Sequence, residues 1–280
     1  MDHVDIAEET LAAFKLGYYT NADGARVDLA APLAACLDAT QEYDPDEMAR
    51  IRDQVLARQE SAATTFAVER ETTLQGSARL VASGRYQRIG VLNFASARRP
   101  GGGFLGGARA QEESLARSSG LYFSLLKCPT YYAFHRAQDT SLYSDRMIYS
   151  PYCPVIRDDE GNWLPRPFAV DFITSAAPNA GAVMRNEPHN RTQIALTLAE
   201  RASKVLALAA HWGCDALTLG AWGCGVFQND PAIVASVFHD LLRPDGLYGR
   251  YFQHVLFAIY TTTREQTNYY AFVEQFASLL

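Results

Sequence analysis

The sequence lacks the patterns that bind metal ions or cross-link small domains. Its five cysteines are an odd number, lie far apart and form no CxxC pair, so neither a disulfide framework nor a zinc knuckle is expected. The six histidines are also scattered, and none belongs to an HExxH motif. We therefore expect no metal site and no bound cofactor.

Long hydrophobic runs and an excess of basic residues are missing as well. No apolar run approaches the roughly 18 to 20 residues that span a bilayer, and the acidic start MDHVDIAEETL differs from the basic start of a secretory signal. Hydrophobic residues make up 48% of the chain and the net charge is −6. This composition predicts a globular, cytoplasmic, monomeric protein with no membrane partner and no sequence-specific nucleic-acid partner.

The charges are distributed unevenly along the chain. Residues 1–60 carry thirteen acids and five bases, whereas residues 79–117 carry seven arginines and only two acids. Those two acids are the neighbours Glu112 and Glu113. An acidic pair inside the most basic part of the chain requires an explanation.

Two regions differ in their pattern of predicted elements. Residues 1–63 are expected to form a mainly helical accessory region packed on the core, with a short hairpin and a helix that begins after Asp44 and ends near residue 60. Residues 64–280 alternate between short β-rich runs and helical stretches. Such alternation predicts an α/β domain with a parallel or mixed sheet and helices on both faces. The predicted strands are 64–68, 89–95, 146–149, 168–175, 216–219 and 254–260, and the predicted helices are 73–83, 111–127, 191–212, 231–242 and 268–279.

Two glycine-rich loops follow predicted strands. The first is GGGFLGG at residues 101–107, and the second is GAWGCGVF at residues 220–227. Glycine lets backbone amides approach and surround an anion, and two such loops at strand ends suit a diphosphate. Either loop alone is equally well explained as a plain turn.

The first loop also matches the dinucleotide-binding fingerprint GxGxxG through Gly101, Gly103 and Gly106. This match raises an oxidoreductase as an alternative. However, Arg98, Arg99 and Pro100 separate the strand from the first glycine, whereas the fingerprint requires a tight turn from strand to helix.

The acidic pair follows the first loop, in the segment QEESL. An isolated pair at this place would simply be favourable charge in the first turn of a helix. Beside a phosphate-type loop, burial and like-charge proximity would raise the pKa of one carboxyl and make it a usable acid.

The segment PGGGFLGGARAQEE resembles the signature of bacterial-type poly(ADP-ribose) glycohydrolases. The similarity extends upstream through VLNFASARRP and downstream to GAWGCGVFQNDP, so it covers roughly residues 64–280. It implies a macrodomain-like fold and an enzyme that hydrolyses the ribose–ribose O-glycosidic bonds of poly(ADP-ribose) to ADP-ribose.

The resemblance also implies roles for individual residues. It makes Glu113 and Glu112 the catalytic residues, with Glu113 as general acid and base and Glu112 as a partner of a ribose hydroxyl. Phe227 packs on the terminal ribose, and Asn93 binds near it. Gln111 is included among the substrate-binding residues, and Gln228 receives no role. The residues expected to hold the diphosphate are Gly101, Gly102 and Gly103 in the first loop and Gly223, Cys224, Gly225 and Val226 in the second.

Two questions stay open at this point. A macrodomain that only binds ADP-ribose is an alternative function, and nothing in the sequence distinguishes cleavage at chain ends from internal cleavage. The aromatic residues that could stack on adenine are more often packing residues, so no adenine site is assigned. They are Tyr131, Tyr132, Trp222, Tyr269 and Tyr270.

Overall fold

The computed structural model describes residues 2–261 and 266–280, which form the following helices and strands. The helices are α1 (His3–Leu16), α2 (Ala30–Ala39), α3 (Pro45–Leu56), α4 (Thr73–Ala82), α5 (Gln111–Ser118), α6 (Leu121–Leu126), α7 (Pro129–Ala137), α8 (Ala180–Asn186), α9 (Gln193–His211), α10 (Pro231–Leu242) and α11 (Thr267–Phe276). The strands are β1 (Tyr18–Thr20), β2 (Arg26–Asp28), β3 (Gln41–Tyr43), β4 (Thr65–Glu69), β5 (Ile89–Phe94), β6 (Met147–Arg157), β7 (Trp163–Ser175), β8 (Ala216–Leu219) and β9 (His254–Ala258).

A mixed sheet of seven strands organises the fold, in the order β3-β6-β7-β5-β8-β9-β4. The five strands from β7 to β4 pair in parallel, whereas β6 runs antiparallel to both β7 and β3. This arrangement confirms the predicted mixed sheet. Because β5 and β8 are parallel neighbours, their carboxyl ends lie side by side and bring the two glycine loops to one edge of the sheet.

Helices cover both faces of this sheet, as predicted. One apolar core gathers residues of α3, α9, α10 and α11, and a second gathers residues of α2, α4, α5, α6 and α7. Both cores include buried residues of the central strands. None of the described helices is both long and apolar enough to cross a membrane.

The amino-terminal region contributes to the main sheet as well as to its own hairpin of β1 and β2. The helix predicted after Asp44 is present, and the Asp44 side chain accepts a hydrogen bond from the backbone of Glu47 in a complete capping box. The next strand upstream, β3, pairs with β6. The division of the chain at residue 63 stays a prediction.

Several elements differ from the sequence-based prediction: β7 begins at Trp163 instead of residue 168, and α7 and α8 are not among the predicted helices. The helix predicted over residues 111–127 is interrupted, because Ser119 is extended and forms an isolated bridge with Val155. The strand predicted over residues 146–149 continues to Arg157, since an irregularity between Ser150 and Cys153 accommodates the left-handed Tyr152 (φ +50°).

Candidate active site

The first glycine loop wraps closely around the acidic pair. Gly101 and Gly102 adopt left-handed backbone conformations, with φ of +66° and +61°. A Cβ atom on Gly102 would lie only 2.3 Å from Oε1 of Glu113 and 3.2 Å from Oε2 of Glu112. Glycine is therefore required at Gly102 both by its backbone conformation and by the space that the carboxylates occupy.

Glu113 lies in the first turn of α5 and is partly exposed. Its Oε1 accepts a hydrogen bond of 2.9 Å from the backbone N–H of Gly103. The loop thus holds this carboxyl at its own edge while leaving part of it accessible. An accessible, oriented carboxyl meets the geometric requirement for a general acid or base.

Glu112 is buried, with 2% of its surface exposed. Its Oε2 accepts a hydrogen bond of 2.6 Å from the backbone N–H of Ser96, and its Oε1 accepts one of 3.3 Å from Nδ2 of Asn93. Burial raises the pKa of Glu112 to about 8; the Ser96 and Asn93 hydrogen bonds oppose this effect, and the nearby Glu113 adds to it. The raised carboxyl pKa that the sequence predicts for this pair therefore lies on Glu112.

Gln111 ties the start of α5 to the end of β5. Its Oε1 accepts a hydrogen bond of 2.9 Å from the backbone N–H of Phe94, and its Nε2 donates to the backbone oxygen of Leu92 at 2.8 Å and to Oγ1 of Thr73 at 3.2 Å. These contacts give Gln111 a role in orienting the two glutamates. Its expected contact with substrate stays a prediction.

Asn93 is fully buried near the end of β5. Besides Glu112, its Nδ2 contacts Oγ1 of Thr174 at 3.1 Å, whereas its Oδ1 has no hydrogen-bond partner within the part of the chain that the structure describes. An amide oxygen without a partner beside a buried carboxyl is ready to accept a hydrogen bond from a ligand hydroxyl.

The second glycine loop is more open than the first. Gly223 is left-handed (φ +72°), and Nδ2 of the buried Asn229 donates to its backbone oxygen at 3.1 Å. Farther along, Gly225 has no atom within 4 Å of where a Cβ would lie, and Val226 is 80% exposed. Burial raises the pKa of Cys224 to about 12.

Phe227 is partly buried at the end of this loop, and its ring lies 6.0 Å from that of Tyr143. The backbone oxygen of Phe227 accepts a hydrogen bond of 3.0 Å from the N–H of Gly181. The next residue, Gln228, has a left-handed backbone conformation (φ +59°). Its Oε1 lies 2.3 Å from the position that a Cβ atom on Gly181 would take. Gln228, which receives no role from the sequence, thus lies against the start of α8.

The two loops meet at the sheet edge. A Cβ on Gly220, at the start of the second loop, would lie 3.1 Å from the ring of Phe94 at the end of β5. Within residues 2–261 and 266–280, no group of three or more His, Cys, Asp or Glu side chains is placed to hold a metal ion. The expectation that catalysis needs no metal stays a prediction.

The aromatic residues considered for adenine fall into two groups. Tyr131, Tyr132 and Trp222 are buried in the core, as packing residues are. Tyr269 and Tyr270 lie at the start of α11, where the guanidinium of Arg70 sits 4.3 Å and 5.4 Å from their ring centres.

Comparison with known families gives a direct match. Residues 7–158 match the model of the microbial-type PARG catalytic domain, which is slightly more than half of the chain. This match begins near the start of the amino-terminal region and includes the first glycine loop and both glutamates. A comparison with proteins of curated function found no match.

Solved structures of poly(ADP-ribose) glycohydrolases (PARG) are similar over nearly the whole chain. The enzyme from Thermomonospora curvata is 45% identical, with a TM-score of 0.94 over 98% of this chain and 99% of that one. The same enzyme bound to the inhibitor ADP-HPD is 44% identical, with a TM-score of 0.91 and the same coverage. The Deinococcus radiodurans enzyme in complex with ADP-ribose is 43% identical, with a TM-score of 0.83 over 88% of this chain and 97% of that one.

These structures have the macrodomain-like fold expected from the sequence, whereas the oxidoreductase alternative has no support. The chain is therefore a glycosidase that belongs to the microbial-type poly(ADP-ribose) glycohydrolase family.

Proposed function

We propose that this protein hydrolyses the ribose–ribose O-glycosidic bonds of poly(ADP-ribose) to release ADP-ribose, with Glu113 as general acid and base. The observation that carries the proposal is the pairing of a partly exposed, loop-held Glu113 with a buried Glu112. The ADP-ribose and ADP-HPD held by the relatives support the choice of substrate.

The chemistry requires protonation of the departing oxygen and a water molecule for the anomeric carbon. Protonated Glu113 gives its proton to the oxygen of the leaving ribose as the glycosidic bond breaks. The resulting Glu113 carboxylate then takes a proton from water while the hydroxide adds to the anomeric carbon. One carboxyl thereby serves in both steps and ends in its starting state.

The other residues near Glu113 orient the ribose. The free Oδ1 of Asn93 accepts a hydrogen bond from a ribose hydroxyl, and Glu112 binds a neighbouring hydroxyl. The ring of Phe227 packs on the sugar, with Tyr143 behind it. These contacts place the anomeric carbon beside Glu113.

The two loops bind the diphosphate through backbone amides. Positive φ at Gly101, Gly102 and Gly223 is typical of anion-binding loops. Because the N–H groups of Gly102 and Gly103 already bond Arg99 and Glu113, the remaining N–H groups of the second loop carry most of this binding. Local dipoles of this kind bind a polyanion although the whole protein carries a net charge of −6. Gly225 and Val226 form the open part of the second loop that meets the ligand, with the half-buried Cys224 beside them.

The test of this proposal is Glu113→Gln. The amide keeps the shape of the side chain but cannot transfer a proton, so poly(ADP-ribose) hydrolysis falls by about 10²- to 10⁴-fold. ADP-ribose affinity, measured by calorimetry, changes by no more than a few fold. Retention of more than about a tenth of the activity contradicts the assignment, and an inactive wild-type protein that still binds ADP-ribose indicates a binding module.

Further parts of the proposal concern the working state of the protein. It acts as a cytoplasmic monomer without a metal or cofactor and binds no specific nucleic-acid sequence. Hydrolysis in excess EDTA tests the metal-free mechanism, and a loss that added divalent ions restore would refute it. Light scattering during chromatography measures the oligomeric state.

A further inference from the structure

The structure separates the seven arginines of residues 79–117 into two groups. Arg79 and Arg88 form ion pairs with Glu71 and Asp171, while the buried Arg117 donates to a backbone oxygen. The remaining four are exposed and have no carboxylate within 4.0 Å among the described residues. They are Arg85, Arg98, Arg99 and Arg109.

Arg98 and Arg99 are fixed beside the acidic pair by their backbone. Their N–H groups donate to Oγ of Ser96 at 3.3 Å and 3.1 Å, and the N–H of Ser96 itself bonds Glu112. The backbone oxygen of Arg99 accepts a hydrogen bond of 3.0 Å from Gly102. Both arginines therefore lie where β5 passes into the first glycine loop.

A third arginine joins them from another element. Arg136, exposed at the end of α7, donates from Nη1 to the backbone oxygen of Arg98 at 3.0 Å. Arg98 in turn reaches the backbone oxygen of Gln138 from its Nη2 at 3.5 Å. No carboxylate of the described chain lies within 4.0 Å of Arg136. We call Arg98, Arg99 and Arg136 the arginine cluster.

The chain after α7 shows on which side of the site the cluster lies. This segment carries Tyr143, whose ring contacts Phe227, and its Ser141 accepts a hydrogen bond of 2.8 Å from the N–H of Asn179, beyond β7. Of the nearby carboxylates, Glu187 accepts hydrogen bonds from Thr140 and Ser141, and Asp145 pairs with Arg201 and Lys204. The exposed Asp139 forms no ion pair with an arginine of the cluster. His135, the neighbour of Arg136, also packs on Tyr143, with ring centres 5.9 Å apart, so the cluster lies on the Phe227 side of the site.

We propose that the arginine cluster is a second anion site, which binds the diphosphate of the polymer unit on the far side of the scissile bond. This inference rests on the proposed function. The bond that breaks joins the anomeric carbon of the bound ribose to the rest of the chain, so the remaining polymer leaves past Phe227. Three guanidinium groups without carboxylate partners offer that chain the donors that phosphate oxygens accept.

The experiment compares a triple variant, Arg98→Glu, Arg99→Glu and Arg136→Glu, with the wild-type protein. At low salt we expect the KM for poly(ADP-ribose) to rise at least tenfold, with kcat within threefold. The Kd of monomeric ADP-ribose stays within twofold, because that ligand does not reach the cluster. The salt dependence of the polymer KM also becomes shallower, since fewer phosphate contacts release counterions.

Two further variants keep the test decisive. The triple change to Gln removes the three charges without reversing them, and we expect a smaller rise in the KM for poly(ADP-ribose). It replaces the Glu variant if that variant does not fold. Arg85→Glu combined with Arg250→Glu is the control, because these exposed arginines lie at the amino ends of the strands, and it leaves the KM unchanged.

The outcomes separate the two proposals. A wild-type protein that cleaves the polymer, with a triple variant of unchanged KM and salt dependence, overturns the second anion site alone. An equal loss of affinity for ADP-ribose and polymer also overturns it, since the arginines would then belong to the product site. A wild-type protein that does not cleave the polymer refutes the proposed function itself.

Discussion

The two glycine loops occupy neighbouring strand ends but differ in how much space surrounds them. In the first loop, Gly102 is pressed against the carboxyl of Glu113, and the N–H of Gly103 bonds that carboxyl. In the second, Gly225 faces open space and Val226 is almost entirely exposed. Two loops of similar composition therefore differ in structure: the first holds the carboxyl of Glu113, for which we propose the catalytic role, and the second leaves open the backbone that we propose binds the ligand.

The largest expected effect of a loop substitution is that of Gly102→Val. The new Cβ collides with Oε1 of Glu113, and the left-handed backbone adds about 1–2 kcal/mol of strain. We expect hydrolysis to fall at least 100-fold and the melting temperature to drop as well. Activity within threefold of wild type would show that the first loop does not hold the carboxyl.

Gly225→Val acts on the second loop and sharpens the contrast. No neighbour opposes the side chain and the backbone is not left-handed, so the melting temperature stays unchanged. The Kd of ADP-ribose rises at least tenfold, because methyl groups occupy the approach of the diphosphate. Gly106→Val is the matched control, since its Cβ also meets open space but lies away from Glu113. An unchanged Kd of ADP-ribose for Gly225→Val would show that the second loop is a simple turn and does not bind the diphosphate.

Glu112→Gln tests the buried member of the pair through the pH dependence of stability. A carboxyl with a pKa near 8 in the folded state and near 4.5 when unfolded holds its proton more tightly when folded. The contribution of this carboxyl to the free energy of unfolding is complete below about pH 4.5 and is lost as the pH rises through about 8, at up to about 1.4 kcal/mol per pH unit. The variant lacks this loss, so its stability relative to wild type increases with pH. Urea unfolding between pH 5 and 9 measures the slope, and a constant difference contradicts the burial effect.

The smallest effect is expected for Gln228→Gly. Glycine removes a left-handed strain of about 1 kcal/mol but adds a similar entropy cost, so stability barely changes. The lost amide beside Gly181 loosens the backbone after Phe227, and the polymer KM rises two- to threefold while kcat is kept. An unchanged KM would show that Phe227 is positioned without Gln228.

Local patterns predict the elements that their own residues determine. The capping box at Asp44, the strand at residues 216–219 and the helix at residues 231–242 follow from short-range signals, and all are present. The break at Ser119 depends on Val155 in a distant strand, which no local pattern contains. The sequence pattern did not predict the full length of β6, because Pro151 and Pro154 are unusual within a strand.

The same distinction applies to the site. The glycines and the acidic pair form one continuous motif, so they could be read from the sequence. Ser96, Thr174 and the partners of Gln111 could not, because the tertiary fold, and no local pattern, brings them to Glu112, Asn93 and Gln111. A serine two residues after a strand carries no signal of its own.

The packing of α1 has a consequence for dividing this protein into fragments. Ala7 and Leu11 of this helix cover Phe104 and Ala116, on the back of the first glycine loop, while Oγ1 of Thr10 donates to the backbone oxygen of Arg117 at 2.7 Å. A fragment that starts at residue 64 would expose this apolar surface to water and leave the loop without its support. We therefore expect a functional fragment of this chain to require α1, although no residue of that helix is among those proposed to bind substrate.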